Sequence, residues 1–531
     1  MFVFLLIADF FRAVLTVAHP LANCILNFVY RRLIMGPNSA LPSIDSKILL
    51  MSATELAEKI RKRQISCKDV MRTYIQRSQL IHPHINGVVD DRYVDALQDA
   101  IAVDRFLESG EKTEEQIARE TPLLGVPFSC KEVLGIKGLA QTTGLVSAKG
   151  HVAEEDGDAS ALYRKAGAIP VTVTNVPEIC MWWETANNVF GRTKNPYDHT
   201  RSAGGSTGGE GAVLAGAGAV IGIGTDIGGS IRIPSAFCGI YGHKPSRGVV
   251  SNWGTFPYCQ MNPDKKDVRV TAQFISTGPM CRYACDLPLL LKVMSGYDNR
   301  IKLDQKVDFR KVKVYYMKES PGLLSAARPE VKRAVEKAAK HFEEEFGVKP
   351  IPLELQELKY AFEIWMCKFK EVGAPPLKTA LAYGKDSINP WWELVKSVFR
   401  RSDHTVPLLF FSLLKNTEKD KFYYECLEKY DVLLKTFNEI FSEDAIFLFP
   451  THPEPAPHYL MTIPKFKNVG YTGIFNILGF PCTAIPAGLS KGLPIGIQAI
   501  SGPFMDHLTI AAALELDKLF QGWISPCPIN V

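Results

Sequence analysis

The chain has 531 residues, 46% of them hydrophobic and 22% charged, with 61 Lys and Arg against 56 Asp and Glu for a net charge of +5. That is too apolar for a disordered chain and too weakly basic for a nucleic-acid footprint. Beyond the N-terminus there are no repeated uncharged runs of about 20 residues, which excludes a polytopic membrane protein, and the length allows a large core without metal or disulfide staples.

Residues 1–30 depart from this average, because Asp9 and Arg12 are their only formal charges. Ala13 to Tyr30 is uncharged and would be about 27 Å long as a helix, borderline for crossing a bilayer. Asp9, Arg12, Thr16, His19, Asn23, Asn27 and Arg31 form a narrow polar stripe at helical spacing, and Pro20 should kink that helix. A signal peptide would want a basic start, which this segment lacks. Residues 1–34 are therefore expected to be a hydrophobic membrane anchor, either spanning or lying in one leaflet. A signal peptide and a buried core helix are the alternatives. Residues 35–50, turn-rich over Gly36–Asp45, read as a linker, and 51–531 as one large domain.

Ser52-Ala-Thr-Glu55 matches a capping box and predicts a helix with Leu56 and Ile60 on one face. Ala168–Thr174 reads as a strand after a helix that Asp158 could cap. Val331, Ala334, Val335, Ala338 and Phe342 predict a helix with Pro329 in its first turn, followed by a strand over Val348–Leu353. Short apolar runs alternating with helical patterns predict an α/β layered domain around a central sheet, with a helical insertion near 355–440. The twelve cysteines contain no CxxC; Cys281 and Cys285 form the one tight pair, expected on one face of a helix. Buried thiols in a reducing compartment are the expectation. The eleven histidines show no ligand spacing, so no metal and no other cofactor is expected.

Residues 204–229 hold 11 of the 40 glycines in 26 positions, followed by Ser230. Such a run implies unusual backbone angles or very close packing. It is not a phosphate loop: no Gly-Lys-Ser/Thr follows, and Gly216-x-Gly218-x-x-Ile221 lacks the third glycine of the dinucleotide fingerprint. Gly204-x-Ser206-x-Gly208 satisfies the nucleophile-elbow pattern, for which His243, His452 and His507 could supply the base.

A third reading accounts for more residues. Gly204-Gly-Ser-Thr-Gly-Gly209 and Asp226-Ile-Gly-Gly-Ser-Ile-Arg-Ile-Pro234 closely resemble the signature of the amidase-signature family of serine hydrolases. Gly125-Val-Pro-Phe-Ser-Cys-Lys131 resembles the family's lysine segment, and Gly278-Pro-Met-Cys-Arg282-x-x-x-Asp286-Leu its following helix. The resemblance runs from about residue 50 to 520, ending in Gly492–Gln498. It implies an amidase-signature α/β fold, a central mixed twisted sheet covered by helices on both faces. It also implies Lys131 as base, Ser206 as bridging proton shuttle and Ser230 as nucleophile, with the N–H groups of Ile227, Gly228, Gly229 and Ser230 as oxyanion hole. A serine hydroxyl needs such a base, and a lysine can serve only if burial or a nearby cation keeps it neutral. Thr207 stands where the family commonly has serine, and Asp226 and Arg232 are expected to be structural ion-pair partners.

The N-terminus and length resemble the family's lipid-amide branch. This implies a fatty acid amide substrate, an intracellular membrane (endoplasmic reticulum or lipid droplet surface) and no nucleic-acid partner, and it leaves room for a homodimer. Met181 and Trp182 are expected to line the acyl pocket, though core aromatics are an equal reading. Val406–Leu414, after Arg400 and Arg401, is expected as a membrane-facing cap, with a buried helix as its rival. The competing functions are an amidase for small aromatic amides and a membrane-tethered pseudoenzyme that binds lipids.

Overall fold

The computed structural model describes residues 40–531 apart from 258–273, 323, 373–375, 384–385 and 415–418. The expected anchor, residues 1–34, lies outside the described residues, and among those no helix is long and apolar enough to cross a membrane. The described end of the expected linker is packed rather than free. Leu41 and Ile44 are buried, and Ile44 exchanges backbone hydrogen bonds with Pro528 and Asn530.

A mixed sheet of 11 strands organises the chain. In chain order these are β1 (Val88–Asp91), β2 (Pro127–Lys131), β3 (Ile169–Thr174), β4 (Ile221–Asp226), β5 (Tyr241–Lys244), β6 (Ser276–Cys281), β7 (Lys313–Tyr316), β8 (Ile351–Pro352), β9 (Ala445–Pro450), β10 (Cys482–Ser490) and β11 (Leu493–Ile500). Their spatial order is β1-β3-β2-β4-β6-β5-β10-β11-β9-β7-β8. Strands β3, β2 and β4 run parallel, and Phe128, Ser129 and Cys130 of β2 stand opposite Ile221, Gly222 and Ile223 of β4. Both strands are wholly buried. Gly222 is required there, because a Cβ would meet Glu210 Oε2 at 2.2 Å.

The helices that matter for the site are α1 (Ala53–Arg61), α2 (Gly208–Ala215), α3 (Arg232–Cys238), α4 (Pro329–Phe346), α5 (Ala361–Glu371), α6 (Pro390–Val398), α7 (Val406–Leu413), α8 (Lys421–Ile440) and α9 (Gly470–Leu478). Helix α4 begins at Pro329 and buries the expected Val331, Ala334, Val335, Ala338 and Phe342. Helices α5 to α8 lie in the expected insertion; α5 and α8 pack with α9 through a second apolar core containing Trp365, Phe437, Phe449 and Phe475, and α6 packs on α7.

Some expectations are corrected. The helix Asp158–Lys165 is capped by Gly157; Asp158 is its first residue, and its carboxylate accepts from Ser251 Oγ at 2.5 Å. The strand expected over Val348–Leu353 shrinks to Ile351–Pro352 at the sheet edge, since Pro350 and Pro352 cannot donate to a ladder. Cys281 ends β6 while Cys285 sits in the following 3₁₀ turn, so the pair shares no helix; the helix of that segment starts only at Leu287.

Helix α1 starts as expected, with Ser52 Oγ accepting from Glu55 N–H at 3.1 Å. Its other leading donors are satisfied from afar: Asp286 accepts from Ala53 N–H and Thr54 N–H, both at 2.9 Å, and from Thr54 Oγ1 at 2.8 Å. Removing that carboxylate strands buried donors. Asp286→Ala should therefore lower the unfolding free energy by about 3 kcal/mol. A lower urea midpoint at unchanged slope is expected, and an unmoved midpoint would contradict the assignment.

Candidate active site

Lys131 ends β2 and is 0% exposed. Its Nζ lies 2.7 Å from Ser206 Oγ, 2.8 Å from Thr225 Oγ1 and 3.4 Å from Thr225 O. Among the described residues no carboxylate comes within ion-pairing distance of it. The nearby acids are otherwise committed. Glu210 accepts from the hydroxyls of Ser129 at 2.6 Å and Thr174 at 2.9 Å, and burial pushes it up to about 8. Burial would raise the Asp226 carboxyl too, but the Arg232 guanidinium and the Asn476 amide hold it far below the usual range. Without a counter-ion, burial lowers the pKa of Lys131. Nζ can donate in all three contacts, and once neutral it can instead accept from the Ser206 hydroxyl while donating to Thr225.

Ser206 and Ser230 come from opposite ends of the glycine run, and the residue after Ser206 joins the two segments, where Thr207 N–H donates to Ser230 O at 3.2 Å. The Gly205–Ser206 peptide is cis. Thr207 caps α2, and its hydroxyl donates to Thr225 O at 3.2 Å, so the hydroxyl it shares with serine is in use. Ser230 is 8% exposed and faces a cavity. The loop that carries it is held by Asp226. One carboxylate oxygen accepts from Gly229 N–H at 2.6 Å and the other from Ile231 N–H at 3.1 Å, while Arg232 pairs with both at 3.0 Å. Asp226 and Arg232 are thus the expected structural pair, fully buried.

Of the four expected oxyanion donors, the N–H groups of Ile227, Gly228 and Ser230 have no acceptor among the described residues. Gly229 N–H is committed to Asp226 and drops out. Gly229 has φ +127°, which favours glycine, and a Cβ there would sit 2.1 Å from Thr472 Oγ1. Among the described residues no hydrogen bond joins His243, His452 or His507 to either serine. His243 Nδ1 lies 2.9 Å from Thr483 Oγ1 and its Nε2 3.1 Å from Asp506, while the His452 ring packs against Trp183 and Phe237. The nucleophile-elbow reading therefore has no base.

The cavity beside Ser230 encloses about 440 Å³ of atom-free space, its solvent-open part included. Met181 and Trp182 line it together with Phe362, Trp365, Phe411 and Phe466. Trp182 Nε1 donates to Thr462 Oγ1 at 2.9 Å, and its ring meets Phe411 edge-on at 5.8 Å. Cys180 and Thr225, beside Lys131 and Ser206, carry no signal of their own in the sequence. Burial pushes the Cys180 thiol up to about 11, so it is a neutral neighbour of the serine. Ile179 and Cys180 have φ of +46° and +57°, strained for side-chain-bearing residues and most of all for a β-branched one.

That strained turn is anchored to α7. Glu178, buried, lies 2.7 Å from His404 Nδ1 and accepts from Thr405 N–H at 2.8 Å and Thr405 Oγ1 at 2.9 Å. The turn that leads into cavity-lining Met181 and Trp182 is thus tied to the start of α7, which carries Phe411.

Comparison with known proteins follows the same outline. The family described as Amidase matches residues 69–510. Human fatty-acid amide hydrolase 2 is 40% identical over 496 residues, covering 91% of both chains. A glutamyl-tRNA(Gln) amidotransferase subunit from Methanococcoides burtonii is 27% identical over 88% of this chain and 96% of its own. Among solved structures, one of fatty acid amide hydrolase superposes with a TM-score of 0.71 at 23% identity, covering 94% of this chain and 89% of that one.

The Glu178–His404 contact gives a pH prediction. Burial lowers the pKa of His404, but Glu178, helped by Glu393 and Asp403, outweighs it and raises the value above the ordinary 6.5. The charged contact is complete below about 6.5 and is lost as pH rises through the higher folded value. Hydrogen exchange over residues 405–413, corrected for intrinsic rates, should rise across that interval. His404→Gln should remove the pH dependence; an unchanged profile in that variant would contradict it.

Proposed function

Because the chain belongs to the amidase family and is a hydrolase acting on amides, we propose that it cleaves fatty acid amides, giving a fatty acid and ammonia or an amine. The observation that carries the proposal is the uncompensated Lys131 amine, 2.7 Å from Ser206 Oγ, beside an apolar cavity that opens on Ser230. Neutral Lys131 takes a proton from Ser206 as Ser206 takes one from Ser230. Ser230 Oγ then attacks the amide carbon, and the carbonyl oxygen gains charge facing the N–H groups of Ile227, Gly228 and Ser230. Ser206 returns a proton to the nitrogen, without which an amine leaves badly. Water repeats the relay on the acyl-Ser230 intermediate, releasing the acid and restoring the hydroxyl. Each oxyanion donor contributes on the order of 3 kcal/mol.

The long-chain substrate is supported by the cavity wall and by the 40% identity to fatty-acid amide hydrolase 2. Membrane association is supported by α6 and α7. Trp391 is 68% and Val398 79% exposed, with Trp392, Phe399 and Phe410 also exposed, next to Lys396, Arg400 and Arg401. Aromatic and basic side chains along α6 and the turn after it suit a lipid headgroup surface; α7 itself buries Pro407, Leu408 and Leu409 but exposes Phe410, and the next residue, Phe411, lines the cavity. Attachment through residues 1–34 belongs to the same proposal. The tRNA-linked activity of the amidotransferase relatives fits this apolar wall poorly.

A fluorophosphonate probe followed by peptide mapping should label Ser230; label on Ser206 instead would contradict the mechanism. Lys131→Ala should cut amide hydrolysis by roughly 1,000-fold or more, and full retained activity would overturn the base. Long-chain amides in vesicles should be preferred over short amides, and Trp391→Ser with Trp392→Ser should erase that preference while sparing short soluble amides. Equal rates on short and long chains would overturn the lipid substrate.

A further inference from the structure

Three consecutive carbonyls in the loop after β4 are each held by a side chain from elsewhere in the chain. Asn476 Nδ2 donates to Asp226 O at 2.8 Å, Trp365 Nε1 to Ile227 O at 3.0 Å, and Thr472 Oγ1 to Gly228 O at 2.5 Å. In a trans peptide the C=O and the following N–H point in opposite directions. Fixing one carbonyl therefore fixes the N–H of the next residue. Asn476 sets Ile227 N–H, Trp365 sets Gly228 N–H, and Thr472 sets Gly229 N–H, which closes the turn onto Asp226. The first two of these N–H groups have no acceptor among the described residues.

Gly228 is the member that most needs outside control. It is followed by Gly229, and neither residue has a side chain to restrict its backbone. Asn476 and Thr472 both belong to α9, which is buried throughout. Trp365 belongs to α5, in the helical insertion, 138 residues from its acceptor. Its ring is buried, stacks on Phe369 at 5.4 Å, and lies close enough to Gly228 that a Cβ there would sit 3.4 Å from the indole.

We propose that Trp365 is a positioning residue for the oxyanion site: its indole N–H holds the Ile227 carbonyl so that Gly228 N–H points at the oxygen that becomes charged during attack by Ser230. This rests on the reading of Ser230 as nucleophile. It gives the insertion a part in the chemistry in addition to walling the cavity, since the ring that faces the acyl chain also aims a donor.

The test separates the N–H from the ring. Trp365→Phe and, closer in shape, Trp365→benzothienylalanine remove the donor and keep an aromatic wall. Full-length wild type and variants are first titrated with the fluorophosphonate to count reactive Ser230, and then assayed on a long-chain amide. A trifluoromethyl ketone with the same chain serves as the probe, because its adduct with the serine carries an oxyanion at the same donors. The expected result is kcat per labelled site lowered by about 10- to 100-fold, KM within about threefold, and ketone affinity lowered in step with kcat. A raised KM with kcat and ketone affinity within twofold of wild type would overturn the proposal and leave Trp365 as cavity wall only. Wild type unlabelled at Ser230 would overturn the nucleophile assignment together with it, whereas labelled wild type with unaffected variants overturns the positioning role alone.

Discussion

A lysine amine buried without a counter-ion is the constraint on which the rest of this structure depends. A cation sealed from water against serine and threonine oxygens is costly, and the least costly response is to lose its proton. Lys131 can be a base at neutral pH only while no acid nearby is free to pair with it. Burial raises the Glu210 carboxyl, which has two hydroxyls as partners, and Asp226 is tied to Arg232. Placing an ionised carboxylate beside Nζ would raise its pKa and remove the proton acceptor that the proposed relay requires.

The glycine run follows from the same constraint. To bring Lys131 at the end of β2 against Ser206 ahead of α2, and the backbone of Ser230 ahead of α3 against Thr207, the strands and helices must approach more closely than side chains allow. Gly222 makes room for Glu210, and Gly229 for Thr472. The buried ion pair and the amide of Asn476 then hold the loop around its backbone carbonyl and carboxylate. The polar cluster is thus carried on the sheet, while the insertion adds Phe362, Trp365 and Phe411 to the apolar wall, and the Trp365–Ile227 and Glu178–Thr405 contacts tie the two parts together.

Much of this is legible in the sequence where the determinants are local. Ser52 starts its helix, the period of Val331 to Phe342 marks α4, and β3 lies within one residue of its expected start. Lys131, Ser206 and Ser230 are identified by resemblance, and their spacing alone gives no hint of convergence. Misses have physical reasons. Val348–Leu353 has the hydropathy of a strand, but its prolines cannot donate to a ladder. Asp158 has a capping side chain, yet Gly157 takes the cap position and leaves the carboxylate for Ser251. Gly229 N–H cannot be seen as occupied from sequence, because its acceptor depends on how the loop folds back on Asp226. Trp365 carries no local signal at all, since its role is made by a contact 138 residues away.

The central claim, a neutral Lys131 acting through Ser206 on Ser230, is tested most directly by the pH dependence of the acylation step alone. Pre-steady-state release of nitroaniline from a long-chain nitroanilide isolates that step. The account predicts a rate that rises with pH through one ionisation well below the ordinary lysine value of about 10.4 and that loses this rise in Lys131→Ala. A rate independent of pH, or the same rising limb persisting in the variant, would contradict it.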